Sequence, residues 1–269
     1  MAPMQVYAAL LDRGIYLCSV ATMYRVLREN NQVAERRRQA RHPARKRPEL
    51  IATRPGQVYC WDITKLAGPT RGVYFDAYVM IDIYSRYIVG AHVHAHESGP
   101  LAEEMIREVF GVHGIPTVVH ADRGTSMTSK SVATLLADLS VTRSHSRPKV
   151  SNDNPYIEAW FKTLKYAPVF PERFSSLSDA RAFLDEFVTW YNHHHRHAGI
   201  GLHTPAEVHY GLAAAIAQGR ADVLAAARAT NPERFGPGGM VPKILALPEA
   251  AWINRPEDQP DQTAYEAVA

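Results

Sequence analysis

Three acidic residues lie where an ordinary hydrophobic core would not place a charge. Asp62 interrupts the apolar run Val58–Ile63, Asp122 ends a short apolar run, and Glu158 follows the helix-starting pair Asn154-Pro155. An ionised carboxylate is costly to bury without compensation, and two neighbouring carboxylates repel each other. A divalent cation removes both costs, and Mg²⁺ prefers oxygen ligands. The sequence therefore predicts that these three side chains converge on one oxygen-lined metal pocket.

Such a pocket suits phosphodiester chemistry. Two Mg²⁺ or Mn²⁺ ions about 4 Å apart would activate an attacking oxygen and stabilise a leaving oxygen at phosphorus. Lys162 and Lys165 follow Glu158 by four and seven residues, on the same helix face, and are predicted to lie along DNA. Arg147 and Lys149 flank the loop before Glu158, where DNA contact is favoured over a solvated loop.

The surrounding pattern predicts the elements that must position these acids. β-branched and aromatic runs predict five strands, and apolar residues at helical spacing predict the helices between and after them. The order β-β-β-α-β-α-β defines an α/β fold with a mixed five-stranded sheet and flanking helices. If the first and fourth strands are neighbours, Asp62 and Asp122 meet. The predicted strands are 58–63, 73–83, 86–94, 117–121 and 141–145, and the predicted helices are 101–110, 129–139, 155–165 and 180–191.

The N-terminal part has a different texture. Residues 3–12 and 19–29 predict two helices separated by a turn at Gly14, which is typical of a partial helix-turn-helix or of a small helical pair packed on the core. A basic segment follows with no acidic residue in it. It can follow a phosphate backbone and is predicted to bind DNA, with a solvated linker as the alternative. Its basic residues are Arg36, Arg37, Arg38, Arg41, Arg45, Lys46 and Arg47.

Charge and composition suggest a division into three segments. Residues 1–50 carry ten Lys/Arg against four Asp/Glu, whereas the rest of the chain has a slight acidic excess. We expect a partial helix-turn-helix with a basic linker at 1–50, a catalytic core at 51–212, and a helical or irregular extension at 213–269. No apolar run approaches the roughly 20 residues of a membrane helix, so no membrane partner is expected. Two cysteines without a CxxC pair suit a reducing cytoplasm.

Other residues compete for the role of ligand. His92, His94 and His96 alternate along one strand, a spacing that could bind zinc, although no fourth ligand is evident. Asp76 and Asp82 lie near Asp62 in the chain, and Asp82 is predicted to organise a turn with Arg86 as its partner. A further histidine group at the end of the last predicted helix favours a cationic helix end over a metal cluster. Its members are His193, His194, His195 and His197.

The acidic motifs resemble those of integrase-core transposases, the retroviral-integrase-like enzymes of bacterial insertion sequences. Thirty-five residues separate Asp122 from Glu158, the spacing for which that family is known. Ala121 stands where a serine is common in the family. The resemblance extends over roughly residues 15–256 and includes Tyr191-Asn192, Arg196-His197, Thr204-Pro205 and a Trp252-Ile253-Asn254 tail. Its catalytic motifs here are Trp61-Asp62-Ile63-Thr64, His120-Ala121-Asp122-Arg123-Gly124 and Asn154 to Lys165.

The resemblance implies an RNase H-like fold, Mg²⁺ or Mn²⁺ as cofactor, and strand transfer by a DNA 3′-hydroxyl. It also implies a homodimer or higher oligomer on DNA, a cytoplasmic, nucleoid-associated location, and a possible upstream-frame product that supplies the missing DNA-binding helices. Two alternatives stay open: an RNase H-like nuclease or resolvase that hydrolyses without joining, and a truncated DNA-binding regulator of transposition.

Overall fold

The computed structural model describes residues 2–30, 32, 47–147, 153–235 and 243–256. The chain forms two compact units, Met1–Arg45 and Lys46–Ala269. The division at residues 50 and 212 expected from composition stays a prediction.

The N-terminal unit contains the two predicted helices, α1 (Pro3–Leu11) and α2 (Val20–Glu29). The Ser19 hydroxyl accepts a hydrogen bond from the Thr22 amide at 3.2 Å, so α2 begins at the predicted cap. Gly14 adopts a φ of 73°, a left-handed conformation that favours glycine and turns the chain after α1. Neither helix has a buried residue.

A mixed five-stranded sheet forms the centre of the second unit, as predicted. Its strand order is β4-β3-β2-β5-β6: β2, β3 and β4 form an antiparallel meander, whereas β5 runs parallel to β2 and β6 parallel to β5. The predicted first and fourth strands are therefore neighbours, and the RNase H-like fold is confirmed. The strands are β2 (Val58–Ala67), β3 (Tyr74–Asp82), β4 (Ile88–His94), β5 (Val118–Ala121) and β6 (Thr142–His145).

Helices cover both faces of the sheet, and each face has its own hydrophobic core. Because side chains alternate along a strand, Tyr59 and Trp61 enter one core and Val58 and Cys60 enter the other. The first core contains residues of α3 (Gly99–His113) and α4 (Lys130–Asp138), and the second contains residues of α5 (Pro155–Lys165) and α6 (Leu177–His193). Asp62 shares the alternation of Val58 and Cys60, which places it on the α5 face.

Several element ends differ from prediction. β2 continues four residues past Ile63, and β4 begins at Ile88 because Arg86, with a φ of 64°, belongs to the preceding turn. Helix α6 begins at Leu177, three residues before the predicted start, because the Ser176 hydroxyl accepts a hydrogen bond from the Asp179 amide at 3.1 Å and caps the helix.

The chain after α6 contains α7 (Pro205–His209), α8 (Ala213–Thr230) and a short strand, β7 (Ala251–Ile253). β7 pairs antiparallel with β1 (Leu50–Ala52), so that Leu50 faces Ile253 and Ala52 faces Ala251. Neither three-residue strand was predicted from the sequence. Among the described helices, none has the length and apolar character to cross a membrane.

Candidate catalytic site

Two of the three acids are brought side by side by the parallel pairing of β2 with β5. Trp61 pairs with Ala121, and Asp62 and Asp122 are the residues that follow on the two strands. Neighbouring strands lie about 4.8 Å apart, so residues at matching positions of a parallel pair are close together. The Asp62 carboxylate accepts a hydrogen bond from the Ile63 amide at 2.8 Å, and that of Asp122 from the Gly124 amide at 2.7 Å.

Glu158 approaches from the helix that covers this face of the sheet. It lies in the first turn of α5, and the last turn of the same helix is tied to β2: Lys165 Nζ donates to Thr64 Oγ1 at 2.6 Å. Thr64 is two residues beyond Asp62 and therefore points to the same face. Lys162, one helical turn after Glu158, is exposed.

Asp62 lies within electrostatic range of both of the other carboxyl groups. Burial raises the pKa of Asp62 from 3.8 to about 7, and the charges of Asp122 and Glu158 add to the increase. Burial raises the pKa of Glu158 above its ordinary value, and the positive charge of nearby Lys162 offsets part of this increase. Among the described residues, none of the three carboxylates forms an ion pair. An uncompensated group of this kind favours the approach of a cation.

The donor chemistry of these carboxylates fits a hard divalent cation such as Mg²⁺. No three histidine, cysteine, aspartate or glutamate side chains in the described parts of the chain are arranged so that they could hold a metal ion. The structure thus brings Asp62, Asp122 and Glu158 into electrostatic contact without forming a closed coordination shell. The shared metal pocket stays a prediction.

Arg147, predicted to contact DNA, is engaged within the protein. Its Nε and Nη2 atoms donate to the two oxygens of Asp153 at 2.9 and 3.0 Å, and its backbone amide donates to the same carboxylate at 2.8 Å. Asp153 is fully buried and accepts a further hydrogen bond from Asn254 Nδ2 at 2.8 Å. This network joins the end of the β6 segment to the start of α5, two elements that flank the site.

The remaining predicted DNA contacts are only partly described. Arg47 is exposed. Lys149 lies outside the described residues. So do the six basic-segment residues other than Arg47, which are Arg36, Arg37, Arg38, Arg41, Arg45 and Lys46.

The rival ligand candidates have other partners. His92 Nε2 lies 3.2 Å from Glu108, and the His94 ring packs edge-on against Tyr78. His195, in the second histidine group, stacks on Tyr191. Lys65 pairs with Asp76 at 3.0 Å.

Asp82 organises the β3–β4 turn, as predicted. Its Oδ1 atom accepts from the amides of Tyr84 and Ser85 and from the Ser85 hydroxyl. Arg86 differs from the expectation: its amide donates to the Asp82 carbonyl, whereas its guanidinium lies 4.1 Å from the centre of the Tyr156 ring.

His120 was not singled out by the sequence, although it belongs to the Asp122 motif. It precedes Asp122 by two residues on β5, and its ring nitrogens lie 2.9 Å from Ser144 Oγ and 3.2 Å from Ser146 Oγ. Burial lowers the pKa of His120 to about 4, so the ring is neutral near pH 7. The alternation of His120 with Asp122 on one strand face was the signal that could have found it.

Comparison with known families gives matches over the part of the chain that contains the three acids. Two family models, each described as an integrase core domain, match residues 52–151 and 139–205, and together they cover more than half of the chain. The first matched range contains Asp62 and Asp122, and the second contains Glu158. The chain belongs to the integrase core domain family.

Curated relatives of this family carry matching names. The transposase for insertion sequence element IS904 of Lactococcus lactis is 29% identical over 169 residues, which are 60% of this chain and 66% of that protein. The putative transposase InsK for IS150 of Escherichia coli is 25% identical over 147 residues, 54% of this chain and 51% of that protein. The match thus spans between half and two thirds of the length of these two relatives.

Solved structures of integrases are also similar to this member of the family. The simian T-cell lymphotropic virus intasome in complex with PP2A regulatory subunit B56 gamma gives a TM-score of 0.49 at 16% identity, covering 76% of this chain and 70% of that chain. The catalytic core domain of BIV integrase gives a TM-score of 0.45 at 19% identity, covering 58% and 95%.

Proposed function

We propose that this chain cleaves and joins DNA strands in the transposition of an insertion element, with Asp62, Asp122 and Glu158 as the ligands of one or two Mg²⁺ or Mn²⁺ ions. The observation that carries the proposal is the parallel pairing that sets Asp62 beside Asp122, combined with a raised Asp62 pKa to which Glu158 contributes. Membership of the integrase-core family supports a polynucleotidyl transferase.

Bound divalent ions would supply Lewis-acid activation of the attacking oxygen and stabilisation of the leaving oxygen. The protein contributes the placement of the carboxylates. Asp62 lies on β2 and Asp122 directly follows β5, two neighbouring strands in the middle of the sheet. Helix α5 packs on one face of this sheet and carries Glu158 in its first turn. Lys165 holds α5 to β2 through Thr64, so its ammonium group is a tether within the site.

DNA is the proposed partner, through element ends and target sites. Lys162 and Arg123 are exposed and near the acids in the chain, and they can contact phosphates. The charge of the basic segment before β1 also suits DNA. A dimer or higher oligomer on DNA, an upstream-frame DNA-binding product and a nucleoid-associated, cytoplasmic location belong to the same proposal.

An RNase H-like nuclease or resolvase is the second candidate function, since the same carboxylates could direct water instead of a DNA 3′-hydroxyl. The exposed Lys162 next to Glu158 and the basic segment favour a strand-joining enzyme, which must hold more than one DNA segment. A DNA-binding regulator without catalytic activity is the third candidate, and the electrostatic effect of Asp122 and Glu158 on Asp62 weighs against it.

The deciding experiment incubates the protein with labelled terminal-repeat DNA and Mg²⁺ and separates cleaved from joined products. Glu158→Gln removes one carboxylate with little change of shape. We expect it to lose joined product by at least about 100-fold, because even outer-shell partners of metal sites cost about 10- to 100-fold. Glu172→Gln, at an exposed glutamate beyond α5, is the matched control and should retain activity.

Equal joining by wild type and Glu158→Gln would refute the assignment of Glu158. Cleavage without joining by the wild type would establish the nuclease alternative. DNA binding with neither product would establish the regulator.

A further inference from the structure

The helix that carries Glu158 begins without the usual cap. In this unit four helices, α3, α4, α6 and α7, are preceded by a residue whose hydroxyl accepts a hydrogen bond from a backbone amide of the first turn. These capping residues are Ser98, Ser129, Ser176 and Thr204. The capping position of α5 is Asn154, directly before the helix, and its side chain makes no capping hydrogen bond. That buried amide finds no hydrogen-bond partner among the described residues. The start of α5 must therefore be fixed by other contacts.

Two of those contacts come from β7, about 100 residues further along the chain. Tyr156, in the first turn of α5, donates its hydroxyl to the Trp252 carbonyl at 2.8 Å. Asn254 Nδ2 donates to Asp153, the residue before the α5 cap, at 2.8 Å. Both contacts lie within five residues of Glu158 and on its N-terminal side. The β7 segment thus holds the end of α5 from which Glu158 projects.

Asp153 is the centre of this arrangement. Its buried carboxylate accepts from the backbone amide, Nε and Nη2 of Arg147 and from Asn254, which uses about all the hydrogen-bonding capacity of a carboxylate. The hydrogen bonds from the Arg147 side chain, together with its charge, hold the pKa of Asp153 well below its usual range, so the carboxylate stays ionised and the bonds stay charge-assisted.

β7 is itself firmly anchored. Ala251 and Ile253 are buried in the core on the α5 face, and β1 pairs with all three residues of the strand. Asn254 follows directly, with a left-handed φ of 54° that asparagine tolerates better than most residues, and Nδ2 also donates to the Pro48 carbonyl at 2.9 Å. Asparagine therefore suits position 254 for both its backbone and its side chain.

We propose that Asn254 and the Tyr156–Trp252 contact are positioning groups that set the distance of Glu158 from Asp62 and Asp122. The proposal rests on the proposed function, because it assigns these groups to the metal site through Glu158. They do not touch substrate or metal. Their loss keeps all three carboxylates in the protein but allows the first turn of α5, and Glu158 with it, to shift. This shift weakens metal binding more than it weakens the fold.

Two full-length variants test the positioning role. Asn254→Gly deletes the amide while keeping a residue that accepts a left-handed φ. Tyr156→Phe removes one hydroxyl and keeps the ring over Arg86. Asn231→Gly, at the end of α8, and Tyr166→Phe, at an exposed tyrosine, are the matched controls. The measurements are Mn²⁺ binding by calorimetry without DNA, the Mn²⁺ concentration for half-maximal strand joining, and the melting temperature.

We expect each test variant to need about 3- to 10-fold more Mn²⁺, in binding and in joining, with the maximal rate recovered at saturating Mn²⁺. The controls should match wild type. Unchanged Mn²⁺ dependence in both variants, with or without a lower melting temperature, would overturn the positioning role. If Glu158→Gln joined DNA as well as wild type, the proposed function would fail, and that result is independent of the two variants.

Discussion

Asp62 is the residue whose ionisation would link the fold to the proposed metal binding. Burial raises its pKa to about 7, and two neighbouring carboxylates strengthen the effect. Near neutral pH the metal-free protein therefore contains both the protonated and the ionised form. Because a metal binds only the carboxylate, metal binding should release a proton and strengthen as pH rises through 7.

Asp62→Asn tests this raised pKa in the metal-free protein. The pKa of Asp62 is about 7 in the folded chain against an ordinary 3.8, so the folded state binds the extra proton between these values. The contribution of this group to the free energy of unfolding is fully present below about pH 4 and is lost as pH rises through 7. The asparagine variant should match wild type near pH 4 and be more stable at pH 8, by up to about 4 kcal/mol.

Urea unfolding in EDTA at the two pH values measures the difference in the free energy of unfolding. Asp138→Asn, at the exposed end of α4, is the control. A difference between Asp62→Asn and wild type that does not change with pH would contradict the raised pKa.

At the residue scale, the proximity of Asp62 and Asp122 could be predicted from the sequence. It follows from a single assumption, that the strand before Asp122 is a neighbour of the strand that contains Asp62. The partners of Arg147 and Asn254 were beyond sequence reasoning. Asn254 and Asp153 lie 101 residues apart, and no periodic pattern links an asparagine in a tail to a carboxylate before a helix. Hydrogen bonds of this kind depend on tertiary placement, which local propensities do not encode.

At the scale of elements, the packing of α3 on β4 depends on a glycine. A Cβ atom on Gly90 would lie 2.4 Å from Val109 Cγ2 and 3.6 Å from Met105 Cγ, whereas a Cβ on Gly111 in α3 would meet nothing within 4 Å. The strand and the helix thus approach each other closely only because position 90 lacks a side chain.

Two glycine-to-alanine substitutions should therefore have opposite effects on stability. Gly90→Ala forces Val109 to move and should cost about 1–3 kcal/mol. Gly111→Ala replaces an exposed helical glycine and should gain about 0.5–1 kcal/mol from helix propensity. Chemical denaturation of both variants measures the change, and each serves as the control for the other. A stabilised Gly90→Ala protein would show that α3 and β4 do not pack as described.

The sequence predicted the longer elements well because their patterns are local. Apolar spacing over α6 and alternation over β2 and β3 are properties of consecutive residues. β1 and β7 have three residues each and pair across about 200 residues of chain, so neither carries a recognisable pattern. The contacts that hold the start of α5 were missed for the same reason.

At the scale of the whole molecule, three buried or half-buried histidines stay neutral near pH 7. Burial lowers the pKa of His120, His197 and His209 to about 4. Each is protonated in the unfolded chain below its ordinary pKa of 6.5 but not in the folded one. The unfolded state therefore binds more protons between pH 4 and 6.5.

The metal-free protein should consequently lose stability as pH falls from 6.5 to 4, with each histidine contributing up to about 1.4 kcal/mol per pH unit. Asp62 acts in the opposite direction throughout this range, so Asp62→Asn should steepen the loss. His120→Gln should make it shallower. Urea midpoints at half-unit pH intervals measure the slope, and a flat profile for wild type would contradict the buried neutral rings.

The β1–β7 pair has a mechanical consequence. Leu50 and Ile253 form its outermost rung, and the chain leaves both residues at the same end of the ladder. A force that pulls the two exiting segments apart would load the pair one rung at a time, and the Asn254–Pro48 bond would be among the first to open. Tension of that kind, such as two bound DNA segments could exert on the flanking chain, would loosen the support of α5 while leaving the five-stranded sheet unstretched.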